Sequence, residues 1–124
     1  MATPAEHRSK ALKNERLIQT ASLAEGEFVD WAVTALFYAA LHWVRALSAQ
    51  EGFQIRDYAM ERIALESVPT FQLAPKHMKL YRTLKDESRD ARYEMKSFTA
   101  LDYQDLEANY YAPFRTFILS HLRS

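Results

Sequence analysis

Glycine and proline are scarce in this chain, and their scarcity restricts the range of possible folds more than any other feature of the sequence. The 124 residues include two glycines and four prolines. Hairpins and sandwiches need many such turn-forming residues, and no stretch alternates apolar and polar residues as a half-buried strand does. The length is that of one ordinary domain. The sequence therefore predicts an all-α chain that forms a single domain over residues 1–124.

Start and stop signals predict an up-and-down bundle of four to five helices. Thr3-Pro4-Ala5-Glu6 combines a capping box with a proline in the first turn. The first helix is expected to run to about Ala24, and the second from Glu27 to Gln50, ended by Gly52. The third, capped by Asp57, is expected from Tyr58 to about Val68 and is ended by Pro69, and a loop from Thr70 to Ala74 follows. The fourth helix has Pro75 in its first turn, a fifth segment capped by Asp102 is broken or kinked by Pro113, and a short closing helix runs to Leu122.

The second predicted helix is apolar over nearly half of its circumference. Its apolar positions are Val29, Ala32, Val33, Leu36, Phe37, Ala40, Trp43, Val44 and Leu47. A helix of this kind is either central to its own bundle or packs on a second copy of the chain. We therefore expect a homodimer, and we expect Trp31 and Trp43 to anchor the core.

The segment from Lys76 to Lys96 is predicted to form one helix with two chemically different faces. One face is a predicted buried seam of His77, Tyr81, Leu84, Ser88, Ala91 and Met95. A neighbouring face is a row of cations about one turn apart, formed by Arg82, Lys85, Arg89, Arg92 and Lys96. A row of this kind, with tyrosines beside it, could bind a polyanion.

Acidic residues interleave with that row, and they leave a second interpretation open. The segment holds seven cations and four anions, whereas residues 97–110 hold three anions and no cation. Asp86 and Arg89 are spaced to form an ion pair on a solvated helix. The charge pattern therefore suits RNA, a second copy of the chain or a partner protein.

The sequence predicts neither a metal site nor a cofactor. It has no cysteine, and its four histidines are far apart along the chain. We expect His42 and His77 to be packed residues rather than catalytic ones, because lone histidines on buried helices usually are. The aromatic group Tyr103, Tyr110, Tyr111, Phe114 and Phe117 is spaced for packing in the core or a dimer more than for base stacking.

The sequence favours a cytoplasmic protein without a membrane span. Its first ten residues are polar and charged, unlike a signal peptide. The longest uncharged apolar run, Trp31 to Leu41, is too short to cross the roughly 30 Å hydrocarbon core of a bilayer as a helix.

Two motifs resemble the HEPN superfamily, a group of helical-bundle domains of higher eukaryotes and prokaryotes. The first is Phe37-Tyr38-Ala39-Ala40 on the second helix, and the second is Ser88-Arg89-Asp90-Ala91-Arg92-Tyr93 on the fourth. Tyr58 and Arg62 on the third helix fit the same pattern. The resemblance covers roughly Asp30 to Tyr93, together with the closing helix.

The resemblance implies a dimeric, metal-independent endoribonuclease of a toxin, phage-defence or RNA-processing system, with two active sites in one cleft, or else a member that has lost activity and serves as a binding or assembly module. In such enzymes an arginine stabilises the phosphorane, and a histidine four to six residues later handles protons. This sequence departs from that motif at two positions. Glu94, not a histidine, follows Arg89 after four intervening residues, and the third helix has Tyr58 where a histidine is expected. Arg115 and His121 have the permitted spacing, but one such pair is expected by chance.

We therefore expect a functional face on the fourth helix and its surroundings. The expected catalytic residues are Arg89, Arg92, Tyr93 and Glu94, and the expected RNA- or phosphate-binding residues are Arg82, Lys85, Lys96, Tyr58 and Arg62. The leading hypothesis is an RNA- or nucleotide-directed protein, with an antitoxin as one expected partner. The alternative is a non-catalytic helical module that pairs with a partner protein.

Overall fold

The computed structural model describes residues 2–94 and 96–123, and all regular secondary structure in these ranges is helical. The helices are α1 (Pro4–Thr20), α2 (Val29–Gln50), α3 (Tyr58–Ser67), α4 (Pro69–Gln72), α5 (Pro75–Tyr93), α6 (Ala100–Leu106) and α7 (Ala112–His121). A 3-10 turn, Gly26–Phe28, precedes α2, and a π-helical turn, Glu107–Tyr111, joins α6 to α7. The all-α prediction is confirmed.

Several helix ends form by the local chemistry that the sequence indicated. The Thr3 hydroxyl accepts a hydrogen bond from the Glu6 N–H, and the Glu6 carboxylate accepts one from the Thr3 N–H. Asp57 caps α3 by accepting from the Met60 N–H at 2.8 Å. Gly52 follows α2 with φ of 87°, a left-handed conformation that favours glycine.

Helix α2 is the centre of the bundle. Its buried side chains include Phe37, Trp43 and Leu47, and α1, α5, α6 and α7 all pack against it. The breadth of its apolar face is therefore accounted for within one chain. The predicted seam of α5 is also buried in part, since Tyr81, Leu84 and Ser88 are enclosed and His77 and Ala91 are half-buried. Met95 lies outside the described residues.

Two prolines coincide with changes in helical structure. Helix α3 ends at Ser67, just before Pro69 as predicted, because Val68 adopts the extended backbone that a following proline favours. The predicted loop from Thr70 to Ala74 is wrong in part, since Pro69 begins the short helix α4. The segment around Pro113 stays helical, but the π-helical turn interrupts its regular α-helical hydrogen bonding directly before α7.

Three other expectations need correction. Helix α1 ends at Thr20 rather than near Ala24. Thr99 is the N-cap of α6, and Asp102 is its partner three residues later in a capping box. Trp31 is 63% exposed and does not anchor the core, whereas Trp43 is fully buried as expected.

One helical stretch has the length and hydropathy of a membrane span. Gly26–Gln50 meets both criteria, and 78% of its most apolar window is buried inside the bundle. The core helix of a helical bundle has the same properties, so this stretch is weak evidence for a membrane segment.

Candidate functional site

The predicted row of cations does not form a continuous strip along α5. The helix ends at Tyr93, so Lys96 lies beyond it, where its ammonium contacts Glu87 at 2.8 Å. Arg89 pairs with Asp86 at 3.6 Å, and both side chains are exposed. Exposed pairs of this kind contribute little stability. Arg82 is exposed on the same helix.

Lys85 is held by a buried carboxylate that no sequence pattern singled out. Its ammonium lies 3.2 Å from Glu61, a residue only 1% exposed. The Tyr81 hydroxyl donates to the other Glu61 oxygen at 2.9 Å. Burial and the nearby Glu61 charge raise the pKa of Tyr81 well above its usual range. The Lys85 ammonium also lies 4.6 Å from the Tyr58 ring centre. The contacts of Lys85 therefore indicate a structural role.

Arg92 is the most firmly positioned of the predicted site residues. Its Nη1 donates to the Tyr38 hydroxyl at 2.7 Å, and its Nε donates to the Ser88 carbonyl at 3.3 Å. The guanidinium carbon lies 5.5 Å from the Tyr38 ring centre and 5.2 Å from that of Tyr93. Because Tyr38 is on α2, this contact ties the end of α5 to the central helix.

A groove opens beside Arg92 between α2 and α5. It has a volume of about 360 Å³ and is lined by Asp30, Trp31, Thr34, Ala91, Arg92 and Tyr93. We call it the α2–α5 groove. Two large aromatic side chains stand open to solvent at this groove, since Trp31 is 63% and Tyr93 is 70% exposed. The Asp30 carboxylate accepts a hydrogen bond from the Phe98 N–H at 3.3 Å.

Tyr58 extends this arrangement from α3. Burial raises its pKa, the neighbouring Tyr38 raises it further, and the Arg92 guanidinium opposes both effects. Tyr58 therefore lies near both Tyr38 and Arg92. Arg62, one turn further along α3, is exposed.

The expected catalytic residue Glu94 is not among the residues that line the groove. It is the exposed C-cap of α5, where its N–H donates to the Asp90 carbonyl. No histidine is among the described lining residues either. The groove therefore combines an arginine, a carboxylate, a hydroxyl and two aromatic faces, a set suited to binding rather than to proton transfer.

The histidines are engaged elsewhere. The Nδ1 atoms of His7 and His42 lie 3.2 Å apart, and the two rings stack with centres 5.4 Å apart. Burial, followed by the His7 and Arg45 charges, lowers the pKa of His42 to about 4. His77 stacks on Phe117 with ring centres 4.4 Å apart. The predicted packing role of His42 and His77 fits these contacts, but His7 as the partner of His42 was missed.

Arg115 and His121 contact different partners. Arg115 donates to both Glu15 oxygens, at 2.6 and 3.2 Å. The Tyr111 hydroxyl also donates to Glu15 and accepts from the Trp43 indole N–H at 2.9 Å. His121 lies against the edge of Phe117. The C-terminal aromatic group is chiefly core, with Tyr103, Tyr111 and Phe114 buried.

Comparisons with known proteins add no family assignment. No family model, curated protein or solved structure matches the chain. Within residues 2–94 and 96–123, no group of three or more histidine, aspartate and glutamate side chains is placed to hold a metal ion.

Proposed function

We propose that this protein is a HEPN-like RNA- or nucleotide-binding protein whose ligand lies in the α2–α5 groove. One observation carries the proposal: Arg92 is fixed by Tyr38 at the side of a groove where Trp31 and Tyr93 are exposed. Arginine is the side chain best suited to phosphate oxygens. Exposed aromatic rings are the usual stacking surfaces for unpaired bases.

The hydrogen bonds already made by Arg92 leave donors for a ligand. Those to Ser88 and Tyr38 use two of its N–H groups, on Nε and Nη1. The remaining guanidinium donors can bind a phosphate, while a base stacks on Trp31 or Tyr93. Arg89 is one turn before Arg92 and can contact a second phosphate, because its exposed pair with Asp86 is weak.

The proposed site is shorter than the row of five cations that the sequence predicted. Lys85 is committed to Glu61, and Lys96 pairs with Glu87 beyond the end of α5. We therefore propose a ligand of one or two nucleotides in contact, rather than a long RNA helix. Cleavage of RNA without metal, as in a toxin or phage-defence ribonuclease, would further need a proton acceptor, and Glu94 is the nearest candidate in sequence.

Salt-dependent binding of single-stranded RNA tests the proposal. One or two phosphate contacts predict a log–log slope of about −0.7 to −1.5 in a fluorescence anisotropy titration. Arg92→Gln should weaken binding about tenfold, whereas Arg16→Gln, which changes an exposed arginine on α1, should not. Equal weakening of binding by both variants would mean nonspecific electrostatic attraction and would contradict the proposal. Cleavage is tested separately, by incubating the RNA with the wild-type protein in the presence of a chelator.

A second candidate function is a non-catalytic module that binds a partner protein, such as an antitoxin, or a second copy of the chain in the cytoplasm. The pairing of Lys85, Arg89 and Lys96 with acids of their own chain favours it. Exposed tryptophan and tyrosine are also common anchors of protein interfaces. Under this alternative, RNA binding is undetectable, and Trp31→Ala weakens capture of the partner.

A further inference from the structure

The polar side chains along one side of α2 continue past the α2–α5 groove. This polar stripe consists of Asp30, Thr34, Tyr38, His42 and Arg45. The first two line the groove, and Tyr38 holds Arg92 beside it. His42 and Arg45 lie further along α2 and are not among the residues that line that groove. An inference drawn from them is therefore independent of the proposed function.

Arg45 is a half-buried cation without a counterion. Its Nε–H is enclosed and has no hydrogen-bond partner. Its guanidinium forms no ion pair with any residue of 2–94 or 96–123. Charges that are partly removed from water are normally paired, because an unpaired one loses hydration without compensation. An anion bound at Arg45 would supply the missing partner.

Three more nitrogen-bearing side chains lie close to Arg45. His42 is one turn before it on α2, and the Nδ1 atom of His42 lies 3.2 Å from that of His7 on α1. Lys10 is one turn after His7 and is exposed. Burial lowers the pKa of His42, and the charges of His7, Arg45 and Lys10 lower it further, so both cations lie near this ring. We call these four residues the α1–α2 cluster.

The neighbouring carboxylates Glu6 and Glu61 are engaged elsewhere. Glu6 belongs to the capping box of α1. Tyr81, whose pKa is affected by the Arg45 charge, donates to Glu61, and Glu61 pairs with Lys85. The α1–α2 cluster therefore keeps a net positive charge.

The two imidazoles of the cluster add uncharged hydrogen-bonding groups. Since one Nδ1 must donate to the other, one ring carries its proton at Nε2 and the other has a free lone pair there. Neither Nε2 atom is both enclosed and unbonded within the described part of the chain, and the rings bond only to each other there. The cluster thus offers charged donors, one neutral donor and one acceptor. A phosphate matches this set, because it accepts at several oxygens and donates one proton when monoprotonated.

We propose that the α1–α2 cluster binds a phosphate group, supplied by inorganic phosphate or by a small phosphate monoester. The Arg45 Nη groups and the Lys10 ammonium donate to phosphate oxygens, and one imidazole Nε2–H donates to another. The bound anion compensates the half-buried guanidinium. Because α1 and α2 pack on each other, the four side chains are held on one rigid surface.

Histidine NMR signals test the proposal and locate the binding. When inorganic phosphate is titrated into the intact chain at constant neutral pH, the imidazole signals of His7 and His42 should shift saturably. Those of His77 and His121, which contact Phe117, should not shift. Sodium chloride at matched ionic strength should not reproduce the shifts. Glycerol 3-phosphate distinguishes the two sources, because a monoester site binds it more tightly than inorganic phosphate.

Substitutions identify the side chains that bind the phosphate. Arg45→Gln should weaken the affinity about tenfold, and Lys10→Gln about threefold. Arg16→Gln, which changes an exposed arginine on α1, is the matched control and should leave the affinity unchanged. Far-UV circular dichroism establishes that each variant is folded. If Arg45→Gln does not fold, the exposed Lys10→Gln still provides the comparison with Arg16→Gln.

Three results would overturn the proposal. They are the absence of a saturable shift at any phosphate concentration up to millimolar, equal shifts of all four histidines, and equal effects of the substitutions in the cluster and of Arg16→Gln.

Discussion

Glu61 and Asp86 both pair with cations of α5, but their different burial predicts different consequences of removing them. Glu61 is enclosed and also accepts from Tyr81, whereas Asp86 and its partner Arg89 are exposed. Removing Glu61 opens a cavity and leaves the buried Tyr81 hydroxyl without its acceptor, whereas Lys85 is 38% exposed and can be solvated. Glu61→Ala should therefore lower the free energy of unfolding by about 3 kcal/mol in urea denaturation.

Asp86→Ala is the matched control for that measurement. It should change the free energy of unfolding by less than about 0.5 kcal/mol, because exposed ion pairs contribute little. Similar effects of the two substitutions would contradict the assignment of Glu61 as the structural partner of Lys85.

The His7–His42 contact predicts a loss of stability in acid. With their Nδ1 atoms 3.2 Å apart, one imidazole must donate and the other accept, so the contact fails when both are protonated. Lys10 and Arg45 face the pair with positive charge, and Glu6 opposes them at His7. The pKa of each histidine is lower in the folded chain than in the unfolded one.

The unfolded state therefore binds more protons as the pH falls, which favours unfolding. The stabilising contribution of His42 is complete above the ordinary histidine pKa of 6.5 and is lost as the pH falls toward about 4. The melting temperature should decline through this window. The melting temperature of His42→Gln should decline less steeply than that of the wild type. The comparison separates the histidine effect from that of carboxylates, which titrate in the same pH range in both proteins. Parallel declines of the two melting temperatures would count against the histidine effect.

At the scale of elements, α3 and α4 should be the least protected helices. Helix α3 buries only Glu61 and Ala64, and α4 is a single turn that buries Phe71. Short helices gain little stability without extensive packing. Hydrogen exchange should be fastest between Arg56 and Ala74, whereas protection there equal to that of α2 would contradict this expectation.

Most helix starts and stops could be predicted because they depend on neighbours in sequence. Thr3, Asp57 and Gly52 act through residues within one turn, and their roles follow from side-chain chemistry. An interruption of the α-helix near Pro113 was predicted as well, but its form was not, because no local pattern indicated the π-helical turn.

The candidate site could be predicted only in part, because the fold assembles it from distant segments. Arg92 and Tyr93 were expected from the α5 pattern, but Tyr38, the partner of Arg92, is 54 residues away. The exposure of Trp31 depends on which side of α2 the other helices cover. A tryptophan in an apolar run normally indicates core, so no sequence pattern distinguished Trp31 from Trp43.

At the scale of the whole molecule, a homodimer remains our prediction, but on different grounds. The apolar face of α2 is covered by its own chain, so it no longer supports a dimer. The expectation now rests on the exposed Trp31 and Tyr93, which lie together at the α2–α5 groove. Exposed aromatic side chains of this kind are common anchors of protein interfaces. Light scattering should give about twice the 14.4 kDa chain mass, and a monomer at micromolar concentration would refute the prediction.

The central claim, a ligand in the α2–α5 groove, is tested most directly by tryptophan fluorescence. Trp31 is exposed at the groove, whereas Trp43 is buried and bonded to Tyr111. Titration with a short oligouridylate should quench the exposed tryptophan saturably, because the base stacks on its ring.

The quench should disappear in Trp31→Phe. The affinity obtained from the quench should fall about tenfold in Arg92→Gln and should be unchanged in Arg16→Gln. Quenching that survives in Trp31→Phe, or no quenching of the wild-type chain at any RNA concentration up to millimolar, would contradict nucleotide binding in this groove.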